Sequence, residues 1–420
     1  MAEGQDVWTV GKMLSWTCDY LTEKGDEHPR LSAEWLICDV LNISRVQVYM
    51  SFDRVFLPAE LARMRTAVKR RAAGEPLQYV TGEMPFRHIV LKCERGVLIP
   101  RPETEILVEE ALSGVDAARA RNEFWPLTET FAQLPTPAVP TPAVPAPAVP
   151  APTALATAAS ADAPAGDKNL ETEAPSVPVS SFAAADTDED SLAPDPIIYV
   201  PGPEITHGAA HIPGPGEQPE EVLLAQNDGT DAASQDAADA TLQESLGIRV
   251  LEIGCGTGCI ACSIASERPD AQVITTDLSP IAVSLARRNV QALALSERVR
   301  VVECNLVDGV DASLQHTFSV LVSNPPYIPT SEVPTLPHEV SDFEPHLALD
   351  GGPDGLDVFR KILALAPTYL VPGGLMCVEL HETTLDAAAQ LAHEQGGWKE
   401  VRIVEDLTHR PRILVAVRED

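Results

Sequence analysis

The most specific chemistry in this chain lies in four consecutive residues. Asn324-Pro325-Pro326-Tyr327 directly follows the apolar run at 320–322. Two prolines remove backbone donors and stiffen the turn. The Asn324 amide oxygen and the Pro325 carbonyl are then acceptors aimed outward, and Tyr327 supplies a flat ring. Such a corner suits a planar –NH2 group, because two acceptors take its two hydrogens while an aromatic face stacks on it. An amide or exocyclic amine is a poor nucleophile, since its lone pair is delocalised. Holding both N–H bonds lets the nitrogen approach tetrahedral geometry as it attacks, and pre-aimed acceptors stabilise that state most. A proline turn without chemistry has the same composition; its place after a strand favours the chemical reading.

A second constellation supplies a place for the electrophile. In VLEIGCGTGC a strand over 249–253 runs into Gly254, Gly256 and Gly258, and a helix follows. Missing side chains let backbone turn sharply and approach a ligand closely. Alone, this spacing fits a dinucleotide or a tight turn. Asp277 sharpens it, because it ends the next strand about 20 residues beyond the glycines, where a carboxylate accepts both hydroxyls of a ribose. In an open α/β sheet ligands sit beyond the carboxyl ends of the strands, so both constellations face one crevice. The matching electrophile is a sulfonium methyl held in line, with much of the rate coming from positioning. No metal and no covalent intermediate is required. Cys255, Cys259 and Cys262 have a spacing that can ligate three irons of a cluster. Here they interleave with the glycine loop, and small buried cysteines are common. A zinc site lacks a matching His or Cys pair.

These residues need a scaffold, and 246–420 reads as one. Strand-like and helix-like segments alternate there and end in a hairpin, EVRIVED with RILVAVR. Alternation of this kind predicts a mostly parallel sheet covered on both faces. Residues 1–75 read as helical. Ser32 is expected to cap a helix over 33–41, Pro58 to open another and Gly74 to close it, with Leu61, Met64 and Val68 on one side. Over 76–112, YVTGEMPFRHIVLKC suggests a hairpin, and Pro100 and Pro102 stop a strand and start a helix from Glu103. Residues 126–245 are low complexity, with a Pro/Ala/Val repeat of polyproline type and IIYV at 197–200 as the one candidate for local order. So few aromatics cannot offset the ordering entropy, which predicts a disordered insertion.

Composition narrows the partners. The chain has 420 residues, 62 Asp+Glu against 30 Lys+Arg and a net charge of −32. The low-complexity stretch alone holds 19 of the 37 prolines, 19 acids and one base. A protein gripping nucleic acid would need a basic stripe, which neither part supplies; Lys69, Arg70 and Arg71 form only a local patch. No apolar run approaches the ~18 to 20 residues of a membrane span. The N-terminus lacks a signal peptide's basic start and apolar run, and eight cysteines read as reduced thiols, so a cytoplasmic protein is expected.

PLQYVTGEMPF at 76–86, LIPRPETE at 98–105, LEIGCGTGCIA at 251–261, NPPYIP at 324–329 and FEPHLALDGGPDGLD at 343–357 together carry a resemblance. The chain resembles the release-factor glutamine N5-methyltransferases (HemK/PrmC family), class I S-adenosylmethionine-dependent methyltransferases with a Rossmann-like seven-stranded, mostly parallel sheet. The likeness covers roughly 1–113 and 246–420. It implies S-adenosyl-L-methionine as cofactor, S-adenosyl-L-homocysteine as product, and the glutamine of the Gly-Gly-Gln loop of peptide chain release factors as substrate, with no direct nucleic-acid or membrane partner. Glu252, Gly254, Gly256 and Gly258 would surround the methionine part of the cofactor, Asp277 the ribose, and Asn305 with Leu306 the adenine. Asn324, Pro325, Pro326 and Tyr327 would hold the glutamine amide. Phe86, Arg101, Pro102 and Glu105 would line the approach. Residues 1–75 would dock the substrate protein, 76–125 lead from them to the catalytic part, 126–245 form the insertion and 246–420 the catalytic domain. Members usually carry Asp where Asn305 stands, and His381-Glu382-Thr383-Thr384 also departs from their pattern. Two rival readings are a DNA adenine N6-methyltransferase, whose target is also a planar amine, and an inactive scaffold that recruits partners through its Pro-rich segment.

Overall fold

The computed structural model describes residues 7–126 and 246–420. The expected insertion therefore lies outside the described residues except for Pro126. Five helices open the chain: α1 (Val10–Glu23), α2 (Pro29–Leu41), α3 (Arg45–Met50), α4 (Pro58–Ala72) and α5 (Leu77–Thr81). The Thr9 hydroxyl caps α1, and Ser44 with Gln47 forms a reciprocal cap on α3. Val10, Leu21, Leu36, Ile37, Met64 and Val68 fuse the helices into one apolar core.

Ser32 does not cap α2. Proline is tolerated at the first helical position, where its missing N–H has no partner to lose, so Pro29 starts the helix earlier. Ser32 is buried instead and donates to Asp26 Oδ2 at 2.8 Å, an oxygen that Arg71 Nε also reaches at 2.6 Å. The expected hairpin is shorter than its alternation suggested, because 79–81 belong to α5. Gly82, at φ 80°, ends that helix, and only then do β1 (Glu83–Phe86) and β2 (Ile89–Lys92) pair. Between β2 and Pro100, residues 93–99 form no strand; the Ile99 amide donates to Glu344 Oε1 at 3.3 Å. The helix that follows, α6 (Thr104–Ala120), is where the prolines place it.

The sheet is built from β3 (Trp125–Pro126), β4 (Leu246–Ile253), β5 (Ala271–Asp277), β6 (Val299–Glu303), β7 (Phe318–Ser323), β8 (Leu370–Glu379), β9 (Trp398–Glu405) and β10 (Pro411–Arg418). Its order is β6-β5-β4-β7-β8-β10-β9, parallel as far as β8, with β10 antiparallel to both neighbours. The short β3 pairs antiparallel with the start of β4. All six residues of β7 are buried, as a strand covered on both faces requires. Strand periodicity divides its side chains: Val320 and Val322 face α6 and α7 (Cys259–Glu267), while Leu321 faces α10 (Asp357–Tyr369) and α11 (Leu385–Gln395). Between β5 and β6 runs α8 (Pro280–Ala292), capped by Ser279, and α9 (His338–Ser341) lies in the segment after β7. From β6 the chain crosses back over β5 and β4 to reach β7. The order therefore reverses between β4 and β7, and such reversals leave a crevice at the carboxyl ends of the strands.

Candidate active site

That crevice is where both constellations meet. Ile253 pairs with Ser323, whose hydroxyl donates to the Ile253 carbonyl at 2.6 Å. Gly254 and Asn324 are the next residues on the two strands and leave the sheet side by side. A Cβ on Gly254 would lie 3.7 Å from the Asn324 carbonyl oxygen. Gly254 (φ 87°) and Gly256 (φ 49°) take the left-handed backbone that glycine adopts without strain. A cavity of about 330 Å³ opens here, lined by Glu252, Gly254, Gly256, Asp277, Asn305, Leu306, Asn324, Pro325 and Pro326 among others. Gly258 is placed differently from the expectation. It precedes α7 at φ 83°, and a Cβ there would meet Ala286 Cβ at 3.3 Å, so it serves the packing of α7 on α8 and does not line the cavity.

The residues around the cavity fit a nucleoside-sulfonium ligand. Asp277 accepts from the Gly256 amide at 2.9 Å through Oδ2 and from the Ser279 amide at 2.8 Å through Oδ1. It thereby ties β5 to the glycine turn, while each oxygen keeps a lone pair for a hydroxyl. Glu252 is fully buried at the cavity floor, and among the described residues its carboxylate has no hydrogen bond of ordinary geometry, only weaker approaches by the Thr275 hydroxyl and the Ala261 amide. Burial, reinforced by the Asp277 charge, pushes its carboxyl up to about 8. An ammonium group such as that of a methionine moiety would satisfy it. Asn305 and Leu306 follow β6 in a tight turn, with Leu306 at φ 49° and the Asn305 carbonyl accepting from the Asp308 amide.

The substrate corner contains two residues that the sequence reading did not single out. Asn324 Nδ2 donates to Thr104 Oγ1 at 3.0 Å, Thr104 Oγ1 donates to Glu379 Oε2 at 2.8 Å, and the Tyr327 hydroxyl donates to Glu379 Oε1 at 3.2 Å. Thr104 and Glu379 are buried. Thr104 stands inside LIPRPETE and opens α6. Glu379 is the one acid in LMCVEL and the last residue of β8, and nothing local in that run marks it as functional. The expectation that Tyr327 offers its ring to the amine is not met. The ring packs against the core beneath α10 and α11, 6.4 Å from the His381 ring, and does not line the cavity. Burial and the nearby Glu379 charge push its hydroxyl well above the usual phenol range.

Of the four approach residues, Arg101 lines the cavity, held by Glu344 at 2.5 Å. Phe86, Pro102 and Glu105 do not. Phe86 is fully buried in the core with α6 and α7, because β1 turns its apolar face inward. Pro102 gives its carbonyl to the Glu105 amide at the turn into α6, and Glu105 Oε1 accepts the Arg87 amide. Pro345, Leu347 and Ala348 line the mouth instead. At 381–384 the turn before α11 closes on itself through Thr384 Oγ1 to the His381 carbonyl at 2.9 Å. The three clustered cysteines diverge: Cys255 packs with α8, whereas Cys259 and Cys262 join the core under α6. Among the described residues no group of three His, Cys, Asp or Glu side chains is placed to hold a metal ion, and no helix is long and apolar enough to cross a membrane.

A glycine turn and the Asp277 carboxylate on one side of a strand-order reversal, with the Asn-Pro-Pro-Tyr corner on the other, mark a methyltransferase of the S-adenosylmethionine-dependent, Rossmann-like class. Residues 227–338 match the Methyltransferase small domain family, and residues 12–82 match the PrmC N-terminal domain family. The chain is 31% identical over 380 residues to the release factor glutamine methyltransferase of Geobacter sulfurreducens, covering 90% of this chain and 87% of that one. It is 28% identical over 407 residues to the enzyme of the same name from Rhodopirellula baltica, covering 97% and 95%. A third, from Thermosynechococcus vestitus, is 44% identical over 166 residues, 40% of this chain and 57% of that one. The chain belongs to the release factor glutamine methyltransferase family.

Proposed function

We propose that this protein transfers a methyl group from S-adenosyl-L-methionine to the side-chain amide nitrogen of the glutamine in the Gly-Gly-Gln loop of peptide chain release factors, in the cytoplasm. The observation that carries the reading is the juxtaposition of Asn324 with Gly254 at one cavity mouth. When bound, the cofactor supplies an electrophilic methyl on a sulfonium. Glu252 would take its ammonium, Gly254 and Gly256 its methionine backbone, Asp277 its ribose, and Asn305 with Leu306 its adenine. Asn324 Oδ1 and the Pro325 carbonyl would accept the two N–H bonds of the glutamine amide. As nitrogen forms its bond to the methyl carbon, positive charge grows on it, and these acceptors strengthen. The methyl–sulfur bond would break as the N–C bond forms, its electron pair staying on the sulfur of S-adenosyl-L-homocysteine, one N–H proton would pass to solvent, and the amide is restored as its N-methyl form.

Helices α1–α4, within 1–75, would dock the release factor. Charge supports a protein substrate over DNA. Arg70 is committed to Glu75, and Arg71 to Asp26 and Glu339, so the basic run on α4 is largely spent internally. Incubation with release factor and cofactor should add one methyl mass to the loop glutamine by peptide mass spectrometry. Methylation of an adenine-containing oligonucleotide in its place would refute the reading. Asn324→Ala should lower turnover by about 100-fold, the order seen when one transition-state hydrogen bond is deleted. S-adenosylhomocysteine affinity by calorimetry should stay within a few-fold.

A further inference from the structure

The geometry points to Thr104 and Glu379 as positioning residues that fix the Asn324 carboxamide with its oxygen toward the substrate. The inference rests on the reading of Asn324 as the amide-holding residue and adds what orients it. A free asparagine side chain presents oxygen or nitrogen with little preference. Only the oxygen serves here, because a presented –NH2 would oppose the substrate's own –NH2.

The hydrogen bonds decide which end is presented. Glu379 ends β8, beside β7 in the sheet, and Asn324 is the first residue past β7. Thr104 is the first residue of α6, which lies across β7 and β8. The Glu379 carboxylate can only accept, and it takes the Thr104 and Tyr327 hydroxyls at 2.8 and 3.2 Å. The Thr104 hydrogen is thereby committed, so its oxygen can only accept from the third partner. That partner is Asn324 Nδ2 at 3.0 Å. Flipping the amide would set Oδ1 against an oxygen with no hydrogen to give. The direction of donation thus runs from Asn324 through Thr104 to Glu379. Asn324 Oδ1 is left for the cavity, which Asn324 and Thr104 both line. The carboxylate end of the relay is buried, so water does not compete for it.

The test compares full-length variants on release factor, with S-adenosylhomocysteine affinity measured alongside. Thr104→Val keeps the volume and removes the hydroxyl. It should lower kcat about 10- to 100-fold while cofactor affinity stays within about twofold. Thr104→Ser should recover kcat to within about threefold of wild type, and in an Asn324→Ala background Thr104→Val should change kcat less than about twofold, because the two act through one amide. Glu379→Met, which removes both acceptor oxygens at similar length, reads the relay from its other end and should cost a similar factor without adding to Thr104→Val, which keeps the test decisive if the valine variant folds poorly. A Thr104→Val enzyme with wild-type kcat overturns the inference. So does a serine variant as slow as the valine one, or a full further loss on top of Asn324→Ala. Wild-type protein that binds the cofactor product but leaves the release-factor glutamine unmodified overturns the substrate reading itself.

Discussion

Two buried carboxylates at the site have different tasks, and pH separates them. Glu379 is pushed up to about 7 by burial, with the Thr104 and Tyr327 hydroxyls opposing, the Glu103 charge adding and Arg412 opposing. As a carboxylate it accepts both hydroxyls; protonated on the oxygen that faces Thr104 it would donate there, and the Thr104 hydroxyl would turn its own hydrogen toward Asn324 and reverse the relay. The active form is therefore the ionised one. Turnover at saturating cofactor should fall as pH drops through about 7, and this step should vanish in Glu379→Gln. Glu252, at about 8 in the free protein, should be held ionised by the cofactor ammonium, so it should not appear in the same profile. Its proton should instead be released on cofactor binding, and calorimetry in buffers of different ionisation enthalpy would count it. Asp277→Ala should weaken the cofactor about tenfold or more, because in the proposed reading the carboxylate takes the ribose and it also ties down the Gly256 amide; an unchanged affinity would contradict the proposed ribose role. Asn324 and Asp277 were legible in the sequence because short motifs fix them at strand ends. Glu379 was not, since its partners Thr104 and Tyr327 come from distant segments, and no local pattern tells a relay acid from a strand's last residue. Tyr327 was misplaced for the same reason: its ring orientation is set by that acid and by the core, not by the tetrapeptide.

The elements were legible where periodicity and punctuation agree. The alternation in 246–420 predicted the sheet, and Pro58 and the closing hairpin landed where their chemistry put them. Ser32 failed because Pro29 opens the helix a turn earlier, and the stretch at 79–81 because α5 claims it as far as Gly82. What no pattern announced is how closely α6 lies on the sheet. Gly114 faces β7 and β8, and a Cβ there would come within 2.8 Å of Val320 Cγ2 and 2.9 Å of Leu375 Cδ2. Helix propensity gives Val only a few tenths of a kcal/mol over Gly, whereas overpacking a core costs about 1–3 kcal/mol. Gly114→Val should therefore lower the thermal midpoint by several degrees. Because α6 presents Thr104 at its first residue, turnover should fall as well. An exposed change on the same helix, Ser113→Ala, should do neither.

At the scale of the whole molecule, the long acidic segment interrupts the chain but not the site. Trp125 pairs with Gly247 and Pro126 with Leu246, at the start of β4, whereas the cavity lies at the end of that strand. Replacing 127–245 with a short hairpin loop should leave turnover and cofactor affinity within about threefold. Shortening a loop by about five doublings gains at most about 3 kcal/mol of closure entropy, so the thermal midpoint should hold or rise; a large loss of turnover would show that the segment does more than connect. The same two-residue ladder has another consequence. Arg101 and Thr104 come from before the interruption, while Asn324 and Glu379 come from after it, so neither flank owns a complete catalytic pocket. A protease nicking the peptide between those flanks would leave halves still clasped by α6 against β7 and β8, and separately produced fragments would have to find each other before either could work.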